Sequence, residues 1–362
     1  MEENKIRVAI THGDTNGTGY ETIFKTFADP TILELCTPII YGSPKIASYH
    51  RKNLGMQANF TIISKASDAQ NGKVNMLTSF DEEVKVDLGT PTKVSDKAAH
   101  QALQRALNDL KEGLYDVLVT APIREGFLTD DNQTAPSQVD IIAQKSGQDG
   151  KTLVIHLHNG LRVASVTGDM PLGDALRQLN KELVIEKATT FFNSLRRDFR
   201  LPTPRLAILQ VNPHAGAEEA EILKPVIEEL HNNDIGAYGP YPAEDYFCKG
   251  YYNQFDGTLA MHYGQAMTPF KLLAGDCEVT LTTGLPIVHT APGGTPDFEI
   301  AGQGLADESQ LRNAIYLAID TLRNRTNYDE PLADPLKKLY HEKRDESEKV
   351  RFAIPKKRDE VQ

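Results

Sequence analysis

The sequence of 362 residues contains no tryptophan and only three cysteines, Cys36, Cys248 and Cys277. Three scattered cysteines build neither a disulfide framework nor a Cys-x-x-Cys metal motif, which fits a reducing compartment. Long hydrophobic runs are missing as well. None approaches the ~18 apolar residues that a membrane-spanning helix needs. The opening M-E-E-N-K-I-R-V has no apolar core of a signal peptide. Positive charge is in deficit: 39 Lys and Arg stand against 50 Asp and Glu, a net charge of -11. That balance speaks against non-specific binding to nucleic acid, while leaving room for a local basic pocket that takes a small anionic metabolite. Together these absences predict a cytoplasmic protein with no membrane and no nucleic-acid partner. No internal repeat is visible.

What is present is an alternation of short apolar runs and longer helical patterns. Strands are expected at Ile6–Thr11, Thr37–Tyr41, Asp116–Thr120, Leu153–His158, Leu161–Thr167, Leu206–Val211 and Gly257–Met261. Helices are expected at Ser95–Glu112, Leu176–Leu195, Glu218–His231 and Ser309–Arg323. Such alternation indicates an α/β fold with mostly parallel sheets covered by helices on both faces. The length exceeds the roughly 250–300 residues at which a single core stops growing, so two lobes are expected. L-V-I-H-L-H and L-R-V-A-S-V flank Asn159-Gly160, a strong hairpin signal. His156 and His158, two apart, share a face there and read as sheet or interface residues. Beyond Asn324 the chain is dense in both charges and reads as a solvated helix with a frayed tail.

In open α/β sheets, ligands bind outside the carboxyl ends of strands, so the loops there are where chemistry is sought. I-T-H-G-D-T-N-G-T-G-Y-E (10–21) carries Gly13, Gly17 and Gly19, which suit either close approach to a ligand or a purely structural turn. V-T-A-P-I-R-E-G (119–126) and T-G-D-M-P-L (167–172) follow; in the latter Asp169 suits a ligand role or a helix cap. V-N-P-H-A-G places His214 on a turn after a buried strand. L-A-M-H-Y-G-Q-A-M (259–267), with Lys271 beyond it, and G-L-P-I-V-H-T-A-P-G-G-T-P-D-F-E-I-A-G (284–302) complete the set. A lone histidine in such a loop is usually structural; several polar loops meeting in one crevice point to function.

These strings, in this order and joined by G-P-Y-P-A-E-D-Y-F (239–247), resemble the 4-hydroxythreonine-4-phosphate dehydrogenase family of vitamin B6 (pyridoxal phosphate) biosynthesis. The resemblance covers roughly residues 6–323. It implies a two-domain α/β/α fold, isocitrate/isopropylmalate dehydrogenase-like, with a first domain from 1–135 plus 290–330. A second domain (136–289) would carry the dimer surface, and 331–362 would be a charged tail. It implies a homodimer with the active site near its interface, NAD or NADP as cofactor, and oxidation of an alcohol followed by decarboxylation. A divalent metal (Zn, Mg or Mn) would stabilise alkoxide and enolate charge as a Lewis acid.

Carried over position by position, the resemblance assigns the metal ligands to His214, Asp169 and Tyr263, with His262 as a possible substitute. Two of these depart from the family pattern: Asp169 stands where the family has histidine, and His262-Tyr263 reverses its Tyr-His order. The catalytic pair would be Lys271 and Asp169. Substrate contacts would come from Gln138, Val139, Lys271, Thr280 and His289, all but Lys271 altered from the family. His289 replaces an arginine and so lacks the bidentate fork suited to phosphate. The cofactor contacts are unassigned, with Asp297 to Gly302 the region to search. Three functions therefore stand open. They are the family's dehydrogenase activity in altered or weakened form, oxidation of a different hydroxy acid, and a catalytically silent binding or regulatory paralogue.

Overall fold

A computed structural model describes residues 5–80, 83–125 and 136–334. Among them are twelve strands: β1 (Ile6–Thr11), β2 (Cys36–Gly42), β3 (Thr61–Ile63), β4 (Asn75–Thr78), β5 (Val117–Thr120), β6 (Leu153–His158), β7 (Leu161–Ser165), β8 (Leu206–Leu209), β9 (Ala237–Tyr241), β10 (Gly257–Ala260), β11 (Val279–Thr283) and β12 (Val288–Pro292). They form one sheet in the order β3-β4-β2-β1-β5-β12-β11-β6-β7-β10-β8-β9. All seven expected strands are there, within one or two residues at each end. The fold is a mostly parallel α/β sheet, as the alternation requires.

Two parallel blocks meet at a seam. β11 pairs antiparallel with both β12 and β6, and β6 pairs antiparallel with β7. Three reversals in succession make the block β7-β10-β8-β9 run opposite to the block that ends at β12. The Asn-Gly signal at the seam is realised: Asn159 and Gly160 both have positive φ, 44° and 88°, which a tight two-residue hairpin demands.

Helices cover both faces, and alternate strand residues feed different cores. In the first block Val8 and Ile10 pack with Ile315 and Ile319, whereas Ala9 packs with Tyr41, Leu103 and Ile142 on the other face. In the second, Leu206 and Ile208 pack with Phe191, while Ala207 and Leu209 pack with Tyr246 and Phe270. β1 and β8 are thus buried on both sides, which explains why these runs read as continuously apolar.

Two helical expectations change. The single helix at Leu176–Leu195 is two, Leu172–Gln178 and Lys181–Arg197. The break is at Asn180, whose side chain accepts the backbone N–H of Leu183 at 2.8 Å and caps the second helix. The last helix runs on to Ala333 instead of stopping at Arg323. Its extension is held from outside: buried Arg325 donates to Asp198 at 2.7 Å and to the Ile287 carbonyl at 2.8 Å. Of the charged tail expected at 331–362, residues from 335 onward lie outside the described residues.

Candidate active site

The chemistry-bearing residues gather on the face of the sheet at the seam. His156 in β6 stands opposite Thr280 in β11. Two residues before Thr280 on the same face is Glu278, 3% exposed. Its carboxylate accepts from His156 Nδ1 through one oxygen and from Lys271 Nζ through the other. Lys271 comes from the helix Tyr263–Ala274, which also sets Tyr263 edge-on to His156 with ring centroids 6.4 Å apart. Burial pushes the Glu278 carboxyl up, but the His156 and Lys271 contacts outweigh it and hold it below the usual glutamate range.

Further carboxylates surround this group. Burial raises the Tyr263 phenol, and the negative charges of Asp169, Glu278 and Glu125 raise it further, so the phenol keeps its proton at neutral pH. Glu125 is itself raised, first by burial and then by the nearby Asp140 and Asp169; it accepts the backbone N–H of Gln138 at 2.9 Å. The seam is therefore acidic, with Lys271 ion-paired into it.

The residues expected from sequence fall into three groups. Lys271, Tyr263 and Asp169 share this electrostatic neighbourhood. Gln138, Val139 and Thr280 border it: Gln138 is buried and bonds the Ala121 carbonyl at 3.2 Å, Val139 is half-buried, and Thr280 bonds the Ala291 carbonyl at 3.3 Å. His289 is a core residue. It is 1% exposed, and its two ring nitrogens face Thr120 and Thr282 at 3.0 and 2.9 Å. That leaves it no nitrogen for a ligand, and burial lowers it to about 4, so it is neutral.

His214 lies apart and exposed. Its loop is organised by Glu219, a fully buried carboxylate that accepts the N–H groups of Val211, Asn212 and Gly216 at 2.9, 2.9 and 2.6 Å. Glu219 was not singled out in the sequence because its role depends on a π-helical turn, Glu219–Leu223, that folds it back under the loop. His262 precedes Tyr263 as the helix N-cap, its Nδ1 accepting the Gln265 N–H at 3.3 Å.

These donors do not fit a metal within one chain. Asp169 and His214 are exposed, Tyr263 is a protonated phenol, and His262 spends a nitrogen on capping. Among the described residues no three His, Cys, Asp or Glu side chains gather in a metal-holding group. Nor do the glycines of the 12–19 loop form an open cradle for a dinucleotide. A Cβ at Gly13 would lie 2.5 Å from the Pro122 carbonyl oxygen, one at Gly17 2.6 Å from that of Pro296, and one at Gly19 2.1 Å from that of His12. The glycines serve internal close packing. The turn Phe298–Ile300, in the region searched for a cofactor, opens at Asp297 with φ 47°.

Comparison with known proteins places this architecture. The profile of the family described as pyridoxal phosphate biosynthetic protein PdxA matches residues 34–318. The chain belongs to the PdxA family. A 4-hydroxythreonine-4-phosphate dehydrogenase of Bacteroides thetaiotaomicron is 46% identical over 97% of this chain and 98% of that protein. Another from Prosthecochloris aestuarii is 32% identical, covering 88% and 97%. The crystal structure of 4-hydroxythreonine-4-phosphate dehydrogenase from Klebsiella pneumoniae superposes with a TM-score of 0.74 at 24% identity, covering 89% of this chain and 99% of that one, and shows the same fold. The PdxA resemblance read from the ordered motifs is thus the family itself. Glu278, Glu125 and Glu219 were missed because their roles arise from strand register and loop packing, even though Glu125 lies within the string at 119–126.

Proposed function

We propose that this PdxA-family chain is an oxidoreductase that oxidises the alcohol of a small hydroxy acid with NAD or NADP, with altered or reduced activity on 4-phosphohydroxythreonine. The observation that carries the reading is the 46% identity, over nearly the whole of both chains, to a protein named 4-hydroxythreonine-4-phosphate dehydrogenase. The seam supports it. Lys271 and His156 there are proton-carrying groups within reach of one another through Glu278, and Tyr263 holds a phenolic proton beside them. The half-exposed ammonium of Lys271 would orient the substrate and place a proton donor at the reacting oxygen. The bound dinucleotide would take the hydride. No step is routed through a metal, since the donors do not fit one.

The test is reduction of NAD and of NADP by the purified full chain with 4-phosphohydroxythreonine and, separately, with 4-hydroxythreonine. Turnover with either, lost in Lys271→Met, supports the reading. Absence of turnover with both, alongside measurable binding of either compound, would favour the silent binding protein instead. One observation leans that way: among the described residues no three His, Cys, Asp or Glu side chains gather in a metal-holding group.

Homodimerisation belongs to the same proposal. Leu272 and Leu273, 86% and 41% exposed on the helix that carries Lys271, give an apolar surface beside the site. A dimer mass in sedimentation at micromolar concentration is the expected result, and a monomer mass would remove this part of the reading.

A further inference from the structure

We infer that Arg325 is the pin of a latch between the two parallel blocks: seated on Asp198, it holds them in one fixed relation, and the β11–β6 seam opens only when the pin is withdrawn.

The last helix, Ser309–Ala333, belongs to the first block for most of its length. Leu311, Ala314, Ile315, Ala318 and Ile319 lie in one core with Val8, Ile10 and Val117. Past Thr321 the described part of the helix has one buried residue, and it is charged: Arg325. Arginine is almost never fully buried without a partner, so its cover must come from elsewhere in the chain. That cover is the end of the helix Lys181–Arg197, whose Val184, Ala188, Phe191 and Leu195 lie in the second core with Leu206 and Ile208.

Three residues of the last helix reach this end. Asn324 donates to the Asp198 carbonyl at 2.8 Å, Arg325 to the Asp198 carboxylate at 2.7 and 3.3 Å, and Asp329 accepts from Arg197 Nε at 2.9 Å. Asp198 is buried as well, and the Ser194 hydroxyl donates to it at 2.7 Å. On its other side the Arg325 guanidinium donates to the Ile287 carbonyl at 2.8 Å, in the connection between β11 and β12. One planar fork thus joins the last helix, the second block and the strand connection beside the seam, and its fixed geometry tolerates little sliding. Among the described residues, the apolar side chains packed against both of these cores are Leu157 and Phe199, each half-buried. A buried ion pair adds little net stability, because desolvation offsets the attraction; fixing register is its best-attested use. The pair therefore acts as a latch between bodies that are each stabilised by their own core.

Hydrogen exchange of the full chain under native conditions tests this and needs neither substrate nor turnover. The first variant combines Arg325→Met with Asp198→Asn, which leaves no buried charge behind. Amides of the seam ladder at 154–157 and 279–283 should then exchange about tenfold faster relative to those of β1 and β8. Arg325→Lys keeps a charge beside Asp198 but loses the fork, and should give the same pattern more weakly; it serves in place of the double variant if that one does not fold. Asp329→Asn, in the exposed outer pair, should leave the ratio unchanged. Equal acceleration of seam and blocks would make the pair an ordinary stabilising contact, and no acceleration would leave it without a role at the seam. Either result overturns the inference, as does an equal seam effect from Asp329→Asn.

Discussion

Two loops of this protein each present a histidine after a buried parallel strand, and they could hardly be treated more differently. The loop after β1 is fully buried. His12 lies between Tyr20 and Phe80, with ring centroids 5.1 and 5.7 Å away, and Tyr20 stacks in turn on His50 at 5.0 Å. Its backbone is stitched to three distant segments, through Asp14 to Pro122, Asn16 to Gly89 and Thr18 to Pro296. The loop after β8 leaves His214 in solvent and is tied down by one carboxylate, Glu219. A histidine on a strand-end turn has a role only through what the rest of the chain packs around it. One of these became a core aromatic, and the other a surface residue.

The sharpest way to break the comparison is through glycine. Gly19→Ala drives a Cβ against the His12 carbonyl group, part of the backbone, and should cost about 3 kcal/mol or more. Gly216→Ala in the other loop meets nothing closer than 3.5 Å and should change stability by no more than about 0.5 kcal/mol. Urea unfolding of the two variants side by side measures the difference; similar losses would mean that the loops are equally confined.

Glu219→Gln comes next. Replacing the buried acceptor of three backbone N–H groups should cost about 2 kcal/mol and raise amide exchange at Val211, Asn212 and Gly216 without affecting residues 12–19. Burial works to raise the Glu219 carboxyl, but the N–H groups and Asn212 hold it below the usual glutamate range. With the folded value depressed, its stabilisation is complete above the unfolded pKa of about 4.3. It is lost as pH falls through the lower folded value, and the variant should not show that loss.

His12 gives a smaller effect with a distinct pH signature. Burial lowers it to about 3, and the charge of His50 adds to this; the backbone of Gly13 and Ala98 approaches closely enough to oppose it slightly, though neither ring nitrogen makes a hydrogen bond of good geometry. Below pH 6.5 the unfolded chain binds a proton at this position that the folded one refuses. Stability should therefore fall as pH drops from about 6.5 toward 3. His12→Leu, costing about 1 kcal/mol at pH 7, should flatten that fall. A parallel pH profile for variant and natural protein would show that His12 does not titrate as its burial requires. Smallest of all, His214→Ala should stay within about 0.5 kcal/mol, again read by urea unfolding.

Seven of the twelve strands and the Asn-Gly hairpin were legible in the sequence because each depends on local pattern: apolar runs buried on both faces, and two residues that accept positive φ; β3, β4, β9, β11 and β12 were not expected. The ordered motifs likewise sufficed for the PdxA family. The broken helix at Asn180 was within reach, since asparagine is a capping residue, but the apolar pattern ran through it. The site was legible only in part. Lys271, Asp169 and Tyr263 fall in one neighbourhood, whereas His289 reads identically on paper whether it faces a cleft or sits between Thr120 and Thr282. Glu278 gave no signal at all. Its meaning comes from the β6–β11 register, which sets it beside His156, and from a glycine fifteen residues away that leaves it room.

The sequence by itself determined the periodicities, the turns and the family, because these are written in neighbouring residues and in the order of short strings. The tertiary structure alone decided that the two parallel blocks run in opposite directions, which histidine is buried, and that Lys271 meets a carboxylate. The physical reason is common to all three. Burial and charge at a side chain depend on groups far away along the chain, and these become neighbours only when the sheet closes its register.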